Sequence, residues 1–348
     1  MKFKYHYPEI RMKTVLLILL FSVSTVFSQA SKNLQAVAEA KQMIQLPEPV
    51  FESASFRQPD SATIADMGFE QIYACDTVSF QMRDKKHLFA RRFTGQQDKV
   101  IVLLHGVLSS NFMMNRTAGL VREATGATII TLDLRGHGNS DGKPGDVDYI
   151  DQYADDLADV VSTLQTEYTV RHVFLAGHSM GGGIILRYAM QKKAPDVDGF
   201  LLLAPLLGHD APTLPRSSGG SSEEPFMKIH LPRIIGLSIL NSMGIHTYDS
   251  LPVLFFHLPP MMPIKEYSYR SNVSMAPAQY KDGLKAIKKP FLLLVGSKDE
   301  AFVAEEFEPA VQRYSKGKVV VVAGATHDGI RHHPETMKAI QRWIATVN

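Results

Sequence analysis

The chain contains Gly177-His178-Ser179-Met180-Gly181, a serine between two glycines, directly after the apolar run of residues 172–176. A stretch of helical character, residues 184–189, follows it, so the local order is strand, G-x-S-x-G and helix. Such a junction requires a turn too tight for side chains at both glycine positions, and the turn raises the serine hydroxyl above the sheet edge. A chance glycine–serine loop is the alternative, and the flanking strand and helix disfavour it. The pattern therefore predicts a nucleophile beside backbone N–H groups that stabilise an oxyanion.

Runs of strand length recur along the chain. Residues 77–80 and 87–90 are typical of an antiparallel pair. Further runs are mostly apolar, as expected for strands buried on both faces. These runs are residues 100–104, 128–132, 173–176, 200–203, 291–295 and 319–322. Helical stretches lie between them, so the alternation predicts an α/β fold with a doubly wound, mostly parallel, eight-stranded sheet and with ligand chemistry at the carboxyl ends of the strands.

Composition and charge exclude several kinds of partner. The chain has 348 residues and a formal charge of +2. The first thirteen residues contribute +3, from four basic residues and Glu9, so the remainder is close to −1. A nearly neutral body without a basic run excludes nucleic acid as an expected partner. No cofactor motif or metal-ligand pattern is present, so we expect neither a cofactor nor a metal, and the sequence leaves the oligomeric state open.

The N-terminus is typical of a secretory signal peptide. A basic segment ends at Lys13, residues 14–21 are apolar, and small residues follow at Ser28 and Ala30. We predict a signal peptide over residues 1–28. The alternative is a retained anchor, although the apolar stretch is shorter than the roughly 20 residues that a span requires. Since the only cysteine cannot form an internal disulfide, we expect a periplasmic or secreted protein, with tethering by an uncleaved N-terminus as the alternative.

The regular alternation of strands and helices stops between residues 206 and 290. We predict a polar lead-in of residues 29–68, a core of residues 69–206 and 290–348, and a helical cap insertion of residues 207–289. An insertion of this size between two strands is expected above the strand ends. Extra core packing is the alternative.

Three segments characterise the predicted cap. Ser217–Ser222 is a hinge-like glycine–serine stretch, and residues 231–243 have the apolar spacing of an amphipathic helix. Residues 251–263 are very apolar but too broken by proline for a long helix. Methionines and proline breaks favour an adaptable apolar wall, which we also expect to contact a membrane surface. The residues predicted to bind substrate are Leu254, Phe255 and Phe256.

A serine hydroxyl is a poor nucleophile without a base, so one of the thirteen histidines has to serve it. We select His327, which follows the last predicted strand in Gly324-Ala325-Thr326-His327. This histidine needs a buried acid to fix its tautomer. Asp299 follows the strand of residues 291–295, and Glu300 is the alternative. The order Ser179, Asp299, His327 is the one expected of an α/β-hydrolase.

The oxyanion formed at the serine needs two N–H donors. One is the N–H of Met180, which follows the nucleophile directly. The second is expected from the loop after residues 100–104, where His105-Gly106-Val107 occurs. Because the glycine lets the backbone turn towards the site, we select the N–H of Val107.

Five motifs in order resemble α/β-hydrolases, and in particular the monoacylglycerol lipase and lysophospholipase group of "serine aminopeptidase, S33" type. The resemblance covers residues 75–345. It implies that Ser179, Asp299 and His327 are nucleophile, acid and base, and that residues 133–140 form a structural turn. The motifs are His105-Gly106, Asp133-Leu134-Arg135-Gly136-His137-Gly138-Asn139-Ser140, Gly177-His178-Ser179-Met180-Gly181-Gly182, Gly296-Ser297-Lys298-Asp299 and Gly324-Ala325-Thr326-His327. One departure is that His105-Gly106 is followed by Val107-Leu108-Ser109-Ser110 and not by the Glu-His extension usual in monoacylglycerol lipases.

These observations favour a serine hydrolase that cleaves carboxylic esters, with acyl esters of lipids such as monoacylglycerols or lysophospholipids as small-molecule substrates. A peptidase or amide hydrolase is the second candidate, with Glu223, Glu224 or Glu266 available to bind a substrate amine. A non-catalytic binding protein on the same fold is the third. Haloalkane and epoxide hydrolysis on this fold needs an aspartate nucleophile, so Ser179 argues against both.

Overall fold

A computed structural model describes residues 33–53, 56, 60–166, 170–215 and 224–347. The predicted signal peptide, the hinge-like stretch Ser217–Ser222 and Glu223 lie outside the described residues and stay predictions. Among the residues that the structure does describe, no helix is long and apolar enough to cross a bilayer.

In chain order the strands are β1 (Asp76–Gln81), β2 (His87–Phe93), β3 (Gln96–Leu104), β4 (Ala127–Leu132), β5 (His172–His178), β6 (Gly199–Leu203), β7 (Met227–Ile229), β8 (Pro252–Phe256), β9 (Glu266–Ser268), β10 (Phe291–Gly296) and β11 (Lys318–Val322). The helices are α1 (residues 33–44), α2 (Ser61–Asp66), α3 (Asn115–Thr125), α4 (Gln152–Thr166), α5 (Met180–Met190), α6 (Leu231–Ser242), α7 (Tyr269–Ser274), α8 (Tyr280–Ala286), α9 (Phe307–Tyr314) and α10 (Pro334–Ile344).

The main sheet has eight strands in the order β1-β2-β4-β3-β5-β6-β10-β11. The pairs β1–β2 and β2–β4 are antiparallel, whereas the remaining neighbours are parallel. Every residue of β4, β6 and β10 is buried, which explains why their sequences are apolar without alternation. The predicted α/β fold and its eight strands are therefore confirmed.

Helices cover the main sheet in two packed groups. The helix α3 packs with α10, while α5 packs with α4 and α8. The apolar stripe predicted for α4 is buried, as its residues Tyr153, Leu157, Val160, Val161 and Leu164 show. Because the strands from β4 to β11 in this order run in parallel, their carboxyl ends lie at one edge of the sheet, where the predicted catalytic loops follow β3, β5, β10 and β11.

The insertion is not helical throughout, contrary to the prediction from the sequence, because part of it forms a second, smaller sheet of three antiparallel strands in the order β7-β8-β9. The proline-broken segment of residues 251–263 supplies β8, in agreement with the expectation that it forms no long helix. Leu254, Phe255 and Phe256 lie in this strand and are buried. Two of the three strands are only three residues long, so no alternation in the sequence could reveal them.

The chain divides into two compact units. The first combines the described part of Met1–Pro49 with His230–Tyr248. Within it α6 approaches α1 so closely that a Cβ on Gly236 would lie 2.7 Å from Ala40 O, and Arg233 pairs with Glu48 at 2.9 Å. The helix predicted over residues 231–243 is thus present. The second unit holds Val50–Ile229 and Asp249–Asn348, and the predicted boundaries of the cap stay a prediction.

Candidate active site

Ser179 lies on the turn between β5 and α5 in a strained backbone conformation, with φ 53° and ψ −116°. Residues other than glycine rarely adopt this backbone conformation, so contacts with the surrounding structure have to stabilise it. The Ser179 N–H donates to Leu203 O at 3.0 Å, and the Leu206 N–H donates to Ser179 O at 2.9 Å. The loop after β6 therefore fixes the turn from both sides.

The two glycines of the G-x-S-x-G pattern are required by close backbone approach. A Cβ on Gly177 would lie 2.5 Å from the carbonyl atoms of Gly181. A Cβ on Gly181 would lie 2.7 Å from Leu104 O and 2.8 Å from His105 O. The sequence argument for a turn too tight for flanking side chains thus has a direct structural cause.

His327 and Asp299 form a buried pair at the ends of β11 and β10. The Nδ1 atom of His327 lies 3.1 and 3.0 Å from the two carboxylate oxygens of Asp299. The Asp299 side chain is fully buried, and that of His327 is 13% exposed. Asp299 Oδ1 also accepts the N–H groups of Ala301 and Phe302 at 2.9 and 2.8 Å. Since an ionised carboxylate only accepts, Nδ1 carries the proton and Nε2 is left to accept one.

Glu300, the alternative acid, contacts a different atom of the same histidine. Its Oε2 accepts the backbone N–H of His327 at 3.0 Å. Asp299 therefore orients the imidazole ring, whereas Glu300 holds the main chain that carries it.

The structure brings Ser179 and His327 to the same edge of the sheet. His178, the neighbour of Ser179, has Nε2 2.9 Å from His327 O, and the two histidine rings lie 4.8 Å apart. Although the structure describes both Ser179 and His327, no direct hydrogen bond joins their side chains. In proteins without substrate such bonds are often long and tighten on binding.

Both predicted oxyanion donors adjoin Ser179. A Cβ on Gly106 would lie 3.2 Å from Ser179 Cβ, so the loop after β3 packs directly against the serine. Val107 follows and is 37% exposed. Met180 is the first residue of α5, where an N–H has no partner within the helix. Donation by these two N–H groups to an oxyanion stays a prediction.

Sequence reasoning missed the contact between the His327 loop and α2. Asp66, the last residue of α2, accepts the Thr326 hydroxyl at 2.6 Å, and the Arg331 guanidinium donates to Asp66 O at 3.1 Å. The only signal in the sequence is Asp60, whose side chain caps α2 at Thr63 N. A cap predicts that a helix forms but not what the helix contacts.

The motif of residues 133–140 is a structural turn, as the resemblance implied. The Asp133 carboxylate accepts the N–H groups of Asn111 and Asn139 at 2.6 and 2.8 Å. Arg135 is buried and pairs with Asp156 at 2.7 Å. The charged side chains of this motif therefore stabilise the turn and its packing. No group of three or more His, Cys, Asp or Glu residues in the described part of the chain is arranged to hold a metal ion.

The residues predicted to bind substrate have contacts within the small sheet. The ring of Phe256 packs edge-on against Phe226 and Tyr267, at 5.7 and 5.8 Å, and Phe255 is in register with Lys228 and Glu266. Contact with a bound acyl chain stays a prediction for Leu254, Phe255 and Phe256.

Three histidines near the site, His105, His137 and His178, are buried. Burial lowers the pKa of His105 to about 4 and that of His137 to about 3, and it lowers the pKa of His178 well below 6.5. An unfolded chain titrates histidine near 6.5. Below that pH the unfolded state binds protons that the folded state does not, so stability falls as the pH falls.

Burial also lowers the pKa of His332 to about 3. We expect the free energy of unfolding to fall by about 2 kcal/mol for each of His105, His137 and His332 between pH 7 and pH 5. Burial raises the pKa of Asp156 to about 6, which offsets about 1 kcal/mol, so the net loss from these four groups is on the order of 5 kcal/mol. The lowered pKa of His178 acts in the same direction as those of the other histidines.

Urea unfolding at both pH values measures the difference. The variant His87→Gln removes an exposed histidine and should leave the difference unchanged. Equal stability at pH 7 and pH 5 would contradict the expectation.

Comparison with known proteins bears on this arrangement. The family described as serine aminopeptidase, S33, matches residues 95–333. The AB hydrolase superfamily protein YisY of Bacillus subtilis (strain 168) is 27% identical over 248 residues, covering 69% of this chain and 89% of that protein. The monoglyceride lipase of Rattus norvegicus is 26% identical over 276 residues, covering 76% of this chain and 87% of that protein. The crystal structure of Paleococcus ferrophilus monoacylglycerol lipase has a similar fold, with a TM-score of 0.51, 21% identity and coverage of 75% of this chain and 99% of that one.

The eight-stranded sheet with its covering helices defines an α/β-hydrolase. The chain belongs to the family described as serine aminopeptidase, S33. The resemblance stated from the sequence motifs is confirmed, and the chain is a hydrolase.

Proposed function

We propose that this hydrolase cleaves carboxylic esters through an acyl-enzyme on Ser179, with His327 as base and Asp299 as the acid that orients it. The observation that carries the proposal is the buried His327–Asp299 pair, with 3.0 Å between Nδ1 and Oδ2, at the sheet edge where Ser179 occupies its strained turn. This pairing leaves the Nε2 atom of His327 unprotonated and able to accept the serine proton.

In the first half of the reaction Ser179 Oγ attacks the ester carbonyl carbon while His327 Nε2 takes the hydroxyl proton. The N–H groups of Val107 and Met180 stabilise the oxyanion of the tetrahedral intermediate. The C–O bond to the alcohol then breaks, and the alcohol leaves with the proton from His327. Water then attacks the carbonyl carbon of the acyl-enzyme while His327 takes a proton from the water molecule. The bond to Ser179 Oγ breaks, the serine regains the proton from His327, and the carboxylic acid leaves.

Lipid acyl esters of monoacylglycerol or lysophospholipid type are the proposed substrates. The proposal is supported by the similarity to monoacylglycerol lipases and by the apolar insertion. Residues with exposed apolar side chains in and beside the small sheet support contact with a lipid surface, since a folded protein rarely leaves such groups clustered in water. These residues are Phe226, Met227, Ile229 and Met261.

Amide hydrolysis is the competing activity, and it would need a free carboxylate to bind the substrate amine. The carboxylate of Glu224 is occupied, because it accepts the N–H groups of Glu52 and Ser53, each at 2.8 Å, and pairs with Lys228 at 2.8 Å. These contacts lower the pKa of Glu224 to about 2. Glu266 is exposed and stays a candidate. The observation on Glu224 favours the ester proposal.

A panel of p-nitrophenyl esters from acetate to dodecanoate, with monoacylglycerols, lysophospholipids and aminoacyl amides, tests the substrate class. Each methylene that enters an apolar channel contributes about 0.8 kcal/mol, so kcat/KM should rise about fourfold per buried methylene until the channel is full. Phe255→Ala and Phe256→Ala should reduce the ratio of octanoate to acetate turnover more than they reduce acetate turnover itself.

The control is Met190→Ala, which truncates an exposed apolar residue at the end of α5, outside the insertion, and should leave the ratio unchanged. A profile that peaks at acetate, with both phenylalanine variants indifferent, would remove the lipid assignment. Turnover of amides in preference to all esters would replace ester hydrolysis by the second candidate.

A further inference from the structure

Tyr267, in β9 of the small sheet, contacts the turn that carries a proposed oxyanion donor. Its side chain is completely buried. The phenolic oxygen lies 2.8 Å from Leu108 N and 2.8 Å from His137 Nε2. Leu108 directly follows Val107, so a hydroxyl from the insertion reaches the loop after β3.

The direction of each hydrogen bond follows from the chemistry of the partners. His137 Nδ1 lies 2.9 Å from Arg135 O, and a carbonyl oxygen only accepts, so Nδ1 carries the proton. The neutral ring then accepts at Nε2, and Tyr267 must donate its O–H to that atom. The phenolic oxygen is left to accept the Leu108 N–H. Every donor and acceptor in this chain has a fixed partner.

Leu108 needs such a partner because its backbone is unfavourable. Its φ is +56°, a left-handed conformation that costs a residue with a Cβ roughly 1–2 kcal/mol. The bond to Tyr267 fixes the direction of the Leu108 N–H and hence the plane of the Val107–Leu108 peptide group. A change in that plane would rotate Val107 and its own N–H.

We propose that Tyr267 is a positioning residue for the oxyanion hole, whose hydroxyl holds the Val107–Leu108 turn so that the Val107 N–H points at the developing oxyanion. The inference rests on the proposed ester hydrolysis by Ser179 and adds to it a residue from outside the triad.

The packing around Tyr267 determines where its hydroxyl lies. The ring meets Phe256 edge-on at 5.8 Å and the ring of His137 at 5.7 Å. The small sheet therefore fixes the position of the Val107–Leu108 turn through the Tyr267 hydroxyl. A matched residue is nearby, since Tyr153 is equally buried and its hydroxyl bonds to Ser271 Oγ at 2.9 Å rather than to the Val107–Leu108 turn.

The experiment compares Tyr267→Phe with Tyr153→Phe, each of which loses one buried phenolic oxygen. Removing an oxyanion donor outright costs about 10²–10³ in kcat, and misdirecting one costs less. We therefore expect Tyr267→Phe to lower kcat by about 10–100-fold with KM nearly unchanged. Its affinity for a trifluoromethyl ketone, which forms an oxyanion on the serine, should fall by a similar factor. Tyr153→Phe should stay within about threefold of wild type.

Equal losses in the two variants would overturn the proposal, and so would unchanged kcat and ketone affinity in Tyr267→Phe. Amide hydrogen exchange on the wild-type chain keeps the test decisive if Tyr267→Phe fails to fold. The Leu108 amide should exchange slowly although it lies in a partly exposed turn, and fast exchange would overturn the proposal. Because exchange requires no turnover, it separates failure of this inference from failure of the ester proposal.

Discussion

Replacing Ser179 by alanine should abolish labelling by a fluorophosphonate and lower kcat for any ester substrate by on the order of 10⁶-fold. The wild-type chain should be labelled once, because only a serine whose proton is removed by a base beside an oxyanion hole reacts quickly. Ser179→Ala keeps the Cβ and hence the backbone requirements of the turn at φ 53°, so the loss isolates the hydroxyl. Mass spectrometry of the labelled protein and steady-state kinetics measure the two effects.

Ser109→Ala is the matched control, because it removes a hydroxyl from the loop after β3 without touching the proposed nucleophile. Its labelling and kcat should match those of wild type. Labelling that persists in Ser179→Ala would remove this serine from its role.

Asp299→Asn should lower kcat by about 10⁴-fold, while Glu300→Gln should stay within about threefold of wild type. The amide introduced by Asp299→Asn can donate towards Nδ1 of His327, which favours the tautomer with the proton on the wrong nitrogen, and the charge that stabilises the imidazolium is lost. In Glu300→Gln the amide oxygen still accepts the His327 N–H, now bonded at 3.0 Å. The same ester assay at saturating substrate compares both variants.

The two replacements change adjacent residues in one loop by the same carboxyl-to-amide step. A large loss in Glu300→Gln with a small one in Asp299→Asn would reverse the assignment of the acid. Thermal unfolding of both variants shows whether either loss is a loss of folded protein.

The main sheet was predictable from the sequence because a strand buried on both faces is a continuous apolar run. Each residue of β4 and β10 is buried, so each strand is an apolar run that a single pass along the chain detects. The candidates Ser179 and Asp299 followed from the same pattern, since each lies just beyond the end of such a run. His327 follows β11, an apolar run of which only Val322 is buried. Their roles stay proposals until the variants are measured.

Tyr267 and Asp66 could not be predicted in this way. Tyr267 is 159 residues from Leu108 and 130 from His137 in the sequence, and Asp66 is 260 residues from Thr326. Neither belongs to a periodic pattern that indicates a contact. The small sheet was missed for a related reason, since strands of three residues are too short for alternation to be recognised.

The hydrogen bond between α2 and the His327 loop limits how far the chain of this hydrolase can be shortened by protein engineering. The region shared with the family is residues 95–333, which excludes α2 and all of α10. A chain trimmed to that region would leave the Thr326 hydroxyl without the acceptor that now lies 2.6 Å away, and the buried Arg331 would lose the carbonyl of Asp66. A minimal version of the enzyme, or a chimera built on its scaffold, therefore has to begin before Asp60.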